Sequence, residues 1–482
     1  MSFRYAAGIN KPGFDPLTNG KGIWNLSSQA NAKALGTWPR NPGAPTIGTA
    51  TVVAPNASIT FTAPSDLGVP AATSYIVTSS PGGLTNTGAS SPITVSGFTL
   101  DQAYTFTVQA VSTIATGTAS AASNSVVPNQ SWYLYSWGQN DPNGALGLGN
   151  TTNYSSPKQV GALGTWLAIE GGSISTITTK MDGTLWTWGG NADGQLGLGN
   201  ITSYSSPKQV GALTTWLAIA GGQYHMLSTK TDGTLWAWGN NAQGQLGDGT
   251  TVAKSSPIQV GALTTWNAIS GGDRHTIATK TDGTLWTWGL NNSGQLGLGN
   301  TTNYSSPKQV GALTTWLAIA GVRRGSIATK TDGTLWSWGR NDFGQLGLGN
   351  TTYYSSPKQV GALTTWLKIA GGNYHTIATK TDGTIWAWGS NGAGPLGLGN
   401  TTNYSSPKQV GALTTWSAVA CGGFFTIATK TDGTLWTWGS NSSGQLGLGN
   451  TASRSSPNQV GALTSWLKIA SGYAFTITIK TP

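Results

Sequence analysis

Residues 282–300 read Asp-Gly-Thr-Leu-Trp-Thr-Trp-Gly-Leu-Asn-Asn-Ser-Gly-Gln-Leu-Gly-Leu-Gly-Asn. The motif recurs about every 50 residues, and its Trp-Gly step falls at Trp137, Trp188, Trp238, Trp288, Trp338, Trp388 and Trp438. A fixed period of this length marks one supersecondary unit that is copied and stacked, because no single unit can bury its own apolar face. The sequence therefore predicts a repeat array over residues 130–482.

The composition favours β-structure. Of the 482 residues, 70 are Gly and 23 are Trp, while only 8% are charged. Gly-rich turns alternate with short segments rich in Thr, Ile and Trp, which is typical of an all-β protein. We therefore predict an all-β fold throughout.

The sequence shows no sign of a membrane span or an export signal. It has no run of 18 apolar residues and no charged-then-apolar start, so we expect neither a transmembrane segment nor a signal peptide. Its single cysteine, Cys421, excludes an internal disulfide framework.

The net charge of +10 raises the question of nucleic-acid binding. Twelve of the lysines and six of the aspartates belong to the repeated template, so this charge is dispersed around the array. Nucleic-acid binders gather theirs into a stripe or patch. Nucleic acid is therefore not an expected partner.

Each repeat reads as four antiparallel strands. In one copy we predict them at residues 216–220, 226–230, 234–238 and 257–260. Asp232-Gly233 between the second and third strands is a frequent hairpin turn.

The two ends of the array complete each other. The chain ends at Lys480-Thr481-Pro482, where a third strand is due, and residues 133–137 supply a matching strand at the other end. Closing the array through these segments removes two exposed sheet edges. We therefore predict seven blades in a closed ring.

The repeat resembles a known family. Gly271–Thr276, Asp282–Gly289 and Gly294–Gly299 are similar to the regulator-of-chromosome-condensation repeat, whose units form a seven-bladed β-propeller. Light sensing and guanine-nucleotide exchange, both found in that family, are disfavoured here. Asp273-Arg274-His275-Thr276 lacks the tryptophan of the light-sensing motif, and no blade carries a wedge-like insertion.

Residues 41–129 alternate in period two and resemble a fibronectin type III β-sandwich. The resemblance is carried by Leu100, Tyr104, Phe106 and Val108 as a tyrosine corner, with residues 123–126 as the last strand. Phe61 stands where the family has a buried tryptophan. The resemblance implies that residues 41–129 act as a spacer between the segments on either side.

Residues 1–40 form a separate segment, with a short helix expected through Ala34. Residues 22–26, Gln29 and Trp38-Pro39 resemble the opening segments of tail and other virion proteins of tailed bacteriophages. The resemblance implies an N-terminal anchoring segment, in which Trp24, Leu26 and Trp38 are the candidate virion-docking residues.

Strand direction sorts the propeller loops onto two ends of the ring. The Asp-Gly turns and the Gly-Ala-Leu-Thr-Thr loops share the bottom and hardly vary, whereas the loops at the top differ from blade to blade. Loops tolerate drift, but drift would be expected at both ends. Arginine and aromatic residues also anchor interfaces. We therefore predict a binding top face carried by Tyr224, Arg274, Arg323, Arg324, Arg340, Phe343, Tyr353, Tyr374, Phe424 and Phe425.

The residues needed for catalysis are scarce. His225, His275 and His375 share one repeat position and are interpreted as framework residues, and Glu170 is the only glutamate. No pair of carboxylates and no Cys/His spacing suggests acid–base or metal chemistry. We expect no enzyme activity, no metal and no cofactor.

Two functional hypotheses follow. The first is a non-enzymatic bacteriophage virion protein, of tail-fibre, spike or surface-decoration type, with its N-terminus on other virion proteins. Its propeller would bind a host-surface glycan or protein. The alternative is a cytoplasmic propeller scaffold that binds a protein partner. The sequence leaves homo-oligomer formation open under either hypothesis.

Overall fold

The computed structural model describes residues 30–481, apart from residues 32, 37, 54–55, 100–101, 128–131 and 163. The chain divides into two compact units at residues 131 and 132. Residues 30, 31, 33 and 34 are helical, and Leu35 N donates to Asn31 O at 2.9 Å. The expected short helix is therefore present.

The first unit contains two three-stranded antiparallel sheets, ordered β1-β2-β5 and β4-β3-β6. Alternate side chains of both sheets share one core that includes Ile59, Val77 and Phe106. Phe61 packs 4.8 Å from Tyr75 between ring centroids. The strands are β1 (Thr46–Val53), β2 (Asn56–Thr62), β3 (Ser74–Ser80), β4 (Thr85–Gly88), β5 (Ile93–Val95) and β6 (Thr105–Val111).

The segment after β6 departs from the predicted regular strand. Within residues 123–126, only Val126 forms a β-bridge, with Tyr104. The Ser120 and Ser123 hydroxyls accept hydrogen bonds from the backbone N–H groups of Val108 and Phe106. Serine side chains thus satisfy part of the edge of β6, so a regular ladder is not needed there.

The second unit contains seven four-stranded antiparallel sheets, the blades. Blade 1 has β9–β12, blade 2 β13–β16, blade 3 β17–β20, blade 4 β21–β24, blade 5 β25–β28 and blade 6 β29–β32, while blade 7 is ordered β33-β34-β7-β8. The strands are β7 (Tyr133–Gly138), β8 (Tyr154–Gln159), β9 (Trp166–Gly171), β10 (Ser175–Lys180), β11 (Leu185–Gly189), β12 (Tyr204–Gln209), β13 (Trp216–Gly221), β14 (His225–Lys230), β15 (Leu235–Gly239), β16 (Lys254–Gln259), β17 (Trp266–Gly271), β18 (His275–Lys280), β19 (Leu285–Gly289), β20 (Tyr304–Gln309), β21 (Trp316–Val322), β22 (Gly325–Lys330), β23 (Leu335–Gly339), β24 (Tyr354–Gln359), β25 (Trp366–Gly371), β26 (His375–Lys380), β27 (Ile385–Gly389), β28 (Tyr404–Gln409), β29 (Trp416–Cys421), β30 (Phe425–Lys430), β31 (Leu435–Gly439), β32 (Arg454–Gln459), β33 (Trp466–Ser471) and β34 (Phe475–Lys480).

Ring closure follows the predicted scheme. β7 pairs antiparallel with β34 from Gly138↔Phe475 to Tyr133↔Lys480, so blade 7 joins both ends of the array. The seven-bladed, all-β architecture predicted from the repeat is confirmed.

The outermost strand of each blade is longer than predicted. In blade 2 it begins at Lys254 rather than Pro257, because Gly239 pairs with Lys254 across a bulge. Proline is tolerated on an edge strand, where its missing N–H faces outward. Pro257 therefore lies inside the strand instead of starting it.

One tryptophan per blade links neighbouring blades. The fully buried Trp288 donates from Nε1 to Gln245 O of the preceding blade at 3.0 Å. Its ring packs edge-on against Trp266 at 5.8 Å between centroids. The hydrogen bond recurs at Trp137, Trp188, Trp238, Trp338, Trp388 and Trp438.

The bottom turns carry a repeated polar network. In blade 2, Asp232 Oδ1 accepts from Thr234 N at 2.9 Å and from Thr234 Oγ1 at 2.6 Å. Thr234 Oγ1 in turn accepts from Trp236 Nε1 at 2.9 Å, and Lys230 Nζ lies 3.5 Å from the Trp236 ring centroid. The near-identity of these turns therefore has a structural cause.

Candidate partner-binding face

Two loops of each blade reach the top face. The inner loop joins the first two strands, and the outer loop joins the last two. The inner loops occupy residues 172–174, 222–224, 272–274, 323–324, 372–374, 422–424 and 472–474.

The inner loops are tied to one another around the mouth of the central channel. Seven backbone N–H···O hydrogen bonds of 2.9–3.3 Å pass from blade to blade and return to the start. They run from Ser173 to Gln223, Gln223 to Gly272, Asp273 to Arg323, Arg323 to Gly372, Asn373 to Gly423, Gly423 to Tyr473 and Tyr473 to Ser173. Because this hydrogen-bonded ring holds the inner-loop backbones together, the blades differ there mainly in their side chains, with a shorter loop in blade 4.

The outer loops are shaped by a buried asparagine in each blade. Asn291 Oδ1 accepts from Leu296 N at 2.9 Å, and its Nδ2 donates to Asn300 O at 3.0 Å. Equivalent bonds are made by Asn140, Asn191, Asn341, Asn391 and Asn441. The residue before this asparagine varies, and in blade 4 it is Arg340.

Tyr374 is the centre of a cluster on blades 4 to 7. Arg323 Nη1 donates to its hydroxyl, and the Cζ atoms of Arg323 and Arg340 lie 5.4 and 5.3 Å from its ring centroid. Phe343 and Phe424 pack against the same ring at 5.1 and 6.2 Å between centroids. These contacts fix the rings and guanidinium groups relative to one another.

The cluster extends at both ends through further contacts. Phe424 packs edge-on against Tyr473 at 5.9 Å between centroids, so the rings continue onto blade 7. On blade 4, the Asp342 carboxylate accepts hydrogen bonds from Arg340 Nε and from the Tyr353 hydroxyl. Partial burial and the bond to Asp342 raise the pKa of Tyr353.

Asp273 lies among three arginines at the inner edge of the cluster. Its carboxyl oxygens lie 3.9, 3.8 and 3.6 Å from the Nε atoms of Arg274, Arg323 and Arg324. The aspartate is only 5% exposed, whereas the arginine side chains are about one third exposed or more. One carboxylate is thus shared by three guanidinium groups.

These groups form one connected surface, which we name the arginine–aromatic patch. Nine predicted residues belong to it, with Tyr224 at its edge because the Arg274 guanidinium lies 5.6 Å from the Tyr224 ring. The patch consists of Tyr224, Asp273, Arg274, Arg323, Arg324, Arg340, Asp342, Phe343, Tyr353, Tyr374, Phe424 and Tyr473.

Phe425 is a correction to the predicted face. It begins β30 and is fully buried, packing with Ile427 and Leu435 in the blade core. It occupies the repeat position held by His225, whose side chain also faces inward. Phe425 is therefore a framework residue and is unavailable to a partner.

Three patch residues were not among the sequence candidates. Asp273 and Asp342 lie in the variable stretches without having been given a role, and Tyr473 belongs to the last, incomplete repeat. All three differ from the residues at the same repeat position in the other blades, and this difference could have identified them from the sequence.

The proposed docking residues fall at the other end of the chain. Trp24 and Leu26 lie outside the described residues, and Trp38 is 37% exposed in the first unit.

The central channel is lined mostly by glycine and other small residues, and the carboxyl-bearing residues Glu170 and Asp273 both line its upper part. Its upper part is a cavity of about 320 Å³ lined by the first strand of every blade. Glu170 projects into it, where other blades carry alanine or serine. The surrounding channel wall desolvates the Glu170 carboxylate and raises its pKa above the ordinary value, although the side chain is open to water within the channel.

The three histidines each contact the following blade, which fits their interpretation as framework residues. Their Nε2 atoms lie 3.0, 3.2 and 3.2 Å from Thr276 Oγ1, Ser326 Oγ and Thr426 Oγ1 of the following blades. Burial lowers the pKa of His225 to about 3 and those of His275 and His375 to about 4. They are neutral packing residues near pH 7.

The described residues include no group of three or more His, Cys, Asp or Glu side chains that could hold a metal ion. Burial raises the pKa of the Cys421 thiol far above its ordinary value, which disfavours the reactive thiolate. In the described part of the chain, no helix is long and apolar enough to cross a membrane.

Fold and site together define a closed β-propeller with one chemically distinct end. The model of the regulator of chromosome condensation (RCC1) repeat matches residues 133–177, 182–228, 232–279, 282–328, 332–379, 382–429 and 432–479. The chain belongs to the RCC1 repeat family. No curated protein sequence matches it.

Solved structures with the same fold have low sequence identity. Human WBSCR16 is 21% identical with a TM-score of 0.66, over 73% of this chain and 99% of that one. Yeast RCC1 (Prp20) bound to Kap60 is 19% identical with a TM-score of 0.66, over 73% and 89% of the two chains. Prp20p of Saccharomyces cerevisiae, described with its binding to Gsp1p and histones, is 19% identical with a TM-score of 0.65, over 73% of this chain and 92% of that one. At this identity the likeness establishes the fold alone.

Proposed function

We propose that this protein is a non-enzymatic binding protein that holds its partner on the top face of the propeller. The observation that carries the proposal is the arginine–aromatic patch, a connected surface confined to blades 2–7 at one end of the ring. Arginine and aromatic residues held in mutual contact are the usual anchors of interfaces. Fixing them before binding lowers the entropy cost of association.

The near-identity of the bottom loops gives little support to a binding function of the top face, because the hydrogen-bonded turns at the bottom explain that near-identity. If the top loops had accumulated random substitutions independently, the residues that differ between blades would not be expected to form one set of connected contacts. The connectivity of the patch is therefore the stronger argument for binding.

The biological setting we favour is a virion of a tailed bacteriophage. In it, residues 1–40 dock on other virion proteins, the fibronectin type III-like unit acts as a spacer, and the top face binds a host-surface glycan or protein. The support is the sequence resemblance of residues 22–39 and the hydrogen bond from Thr99 N to the Tyr104 hydroxyl, as in a tyrosine corner. A cytoplasmic scaffold with a protein partner is the second candidate, which the patch suits equally well.

The test replaces four patch residues together, Arg323, Arg324, Tyr374 and Phe424, each by alanine. Removing these anchors should weaken binding of the full chain to whole bacterial cells at least about tenfold, since single interface anchors commonly contribute 1–2 kcal/mol or more. The measurement is pull-down on a panel of cells, with the unfolding midpoint checked for each protein.

The matched control is Ile201→Ala with Val252→Ala, because both residues are highly exposed on outer top loops outside the patch. Equal cell binding by the patch variant and the parent would refute the top-face assignment. If the parent binds no cells but captures a protein through the patch, the scaffold function is favoured.

A further inference from the structure

The arginine–aromatic patch has an excess of positive charge. It holds four arginines, at 274, 323, 324 and 340, against Asp273 and Asp342. Asp342 is engaged by Arg340 and Tyr353, which leaves Asp273 as the nearby carboxylate for the other three guanidinium groups. The unbalanced charge therefore lies beside Asp273.

The hydrogen bonding around Asp273 is incomplete. Its closest arginine nitrogen is 3.6 Å away, longer than a charge-assisted hydrogen bond of about 2.7–2.9 Å. The Nε atoms of Arg323 and Arg324 are buried and find no acceptor among the described residues. Buried donors of this kind favour a further acceptor, and a second carboxylate could bind the guanidinium groups in a bidentate manner.

Apolar contact area adjoins these donors. Tyr374, Phe424 and Tyr473 follow one another from blade 5 to blade 7 and remain partly exposed. A ligand held beside Asp273 would extend over these rings. The surface thus suits a ligand that alternates carboxylates with apolar groups.

We propose that the patch binds an acidic, aromatic- or aliphatic-containing segment of a protein partner, and that Arg323 and Arg324 hold its carboxylate in competition with Asp273. This inference rests on the proposed binding function of the top face. Nucleic-acid phosphate backbones are disfavoured because proteins that bind them gather basic residues along a stripe, whereas the remaining lysines of this chain are dispersed. Neutral glycans do not require the surplus of guanidinium groups.

The experiment measures binding of the full chain to a fluorescent Glu/Tyr copolymer, with a Lys/Tyr copolymer as the opposite-charge probe. The acidic copolymer should bind, and its affinity should fall with added salt. Arg323→Ala with Arg324→Ala should weaken it at least about tenfold, because hydrogen bonds to charged groups are lost. Arg323→Lys with Arg324→Lys should recover only part of the affinity, since lysine lacks the bidentate fork.

Asp273→Asn supplies the decisive variant. It removes the competing carboxylate, so the affinity for the acidic copolymer should rise at least about threefold, which a merely structural role for the arginines does not predict. The charge-matched control is Lys208→Ala with Lys408→Ala, two exposed lysines on the outer strands of blades 1 and 5 that are not part of the patch. That control should change the affinity less than twofold, in keeping with long-range screening.

The inference would be overturned by unchanged or weaker binding by Asp273→Asn, by equal binding of the Lys/Tyr copolymer, or by tighter binding of polygalacturonate than of the acidic copolymer. The last result would assign an acidic glycan instead of a protein. Loss of cell binding in the four-residue variant, without any binding of the acidic copolymer, would leave the top-face function standing and reject only this ligand class.

Discussion

The framework position at the start of each blade's second strand shows how one residue can be exchanged without changing the fold. His225, His275 and His375 occupy it in three blades, whereas Phe425 and Phe475 occupy it in two others, all of them buried. The pocket therefore accepts a neutral imidazole or a phenyl ring. A charged imidazolium is disfavoured there, as the lowered pKa values show.

His275→Phe should reduce the acid sensitivity of the protein. Burial holds the pKa of His275 at about 4 instead of 6.5, so its contribution to stability is complete above pH 6.5 and is lost as the pH falls towards 4. The free energy of unfolding should therefore change between pH 7 and 4 by about 3 kcal/mol less in the variant than in the parent. Denaturant titrations at the two pH values measure this difference.

The reverse change, Phe425→His, is the matched control. Thr476 on the next blade can contact the new imidazole as Thr276 contacts His225. The protein should then become more sensitive to acid, because the new histidine is buried in its neutral form. If His275→Phe lost as much stability on acidification as the parent, the buried neutral state assigned to His275 would be wrong.

At the scale of the element, the 50-residue repeat allowed most strands and turns to be predicted from the sequence. Four strands per blade and the Asp-Gly turns were predictable because glycine and alternating apolar residues mark them locally. The start of the outer strand was not, because Pro257 was read as a boundary while the bulge at Gly239 allows pairing to begin at Lys254. In the first unit, Ser120 and Ser123 replace part of a regular strand ladder through side-chain bonds that no strand pattern reveals.

Removing residues 475–482 tests the composite blade. β34 is a central strand that pairs with both β33 and β7, and it buries Phe475, Ile477 and Ile479. Its loss exposes two sheet edges and part of the core, so the truncated chain should be severely destabilised and should aggregate. Light scattering and the yield of monodisperse protein measure the effect.

Removal of Pro482 alone is the control for this truncation and should leave both quantities unchanged. A monodisperse chain with an unaltered unfolding midpoint after loss of residues 475–482 would show that ring closure through β7 is dispensable.

At the scale of the whole molecule, the proposed tasks belong to different parts of the chain. The patch lies on the propeller, which is a compact unit with its own blade cores, while the candidate docking residues lie in the first 40 residues. A unit that folds around its own core is expected to keep its function when a remote segment is lost.

Under the proposed virion function, deleting residues 1–40 should therefore abolish incorporation into phage particles and leave cell binding through the patch unchanged. The four-residue patch variant should show the opposite pattern, incorporated normally but poor in cell binding. Incorporation is measured by immunoblot of purified particles, and cell binding is measured by cell pull-down. Normal incorporation of the shortened chain would contradict the docking role of Trp24, Leu26 and Trp38.

By itself, the sequence determined the all-β class, the seven blades and the closure of the ring, because the 50-residue period, the Asp-Gly turns and the complementary strands at the two ends of the array can all be read from the repeat. It also placed Arg323, Arg324 and Tyr374 among the variable top-face residues. The resemblance to a known repeat agreed with this reading at every blade.

Only the tertiary structure decided which variable residues contact one another. Phe425 turned inward because its strand position faces the blade core, while Asp273, which carried no predicted role, lies among three arginines from adjacent inner loops. Residues about 50 positions apart become neighbours only when adjacent blades pack together, as the hydrogen bond from Arg323 to Tyr374 shows. The charge and shape of the patch therefore depend on contacts between blades, which no single repeat contains.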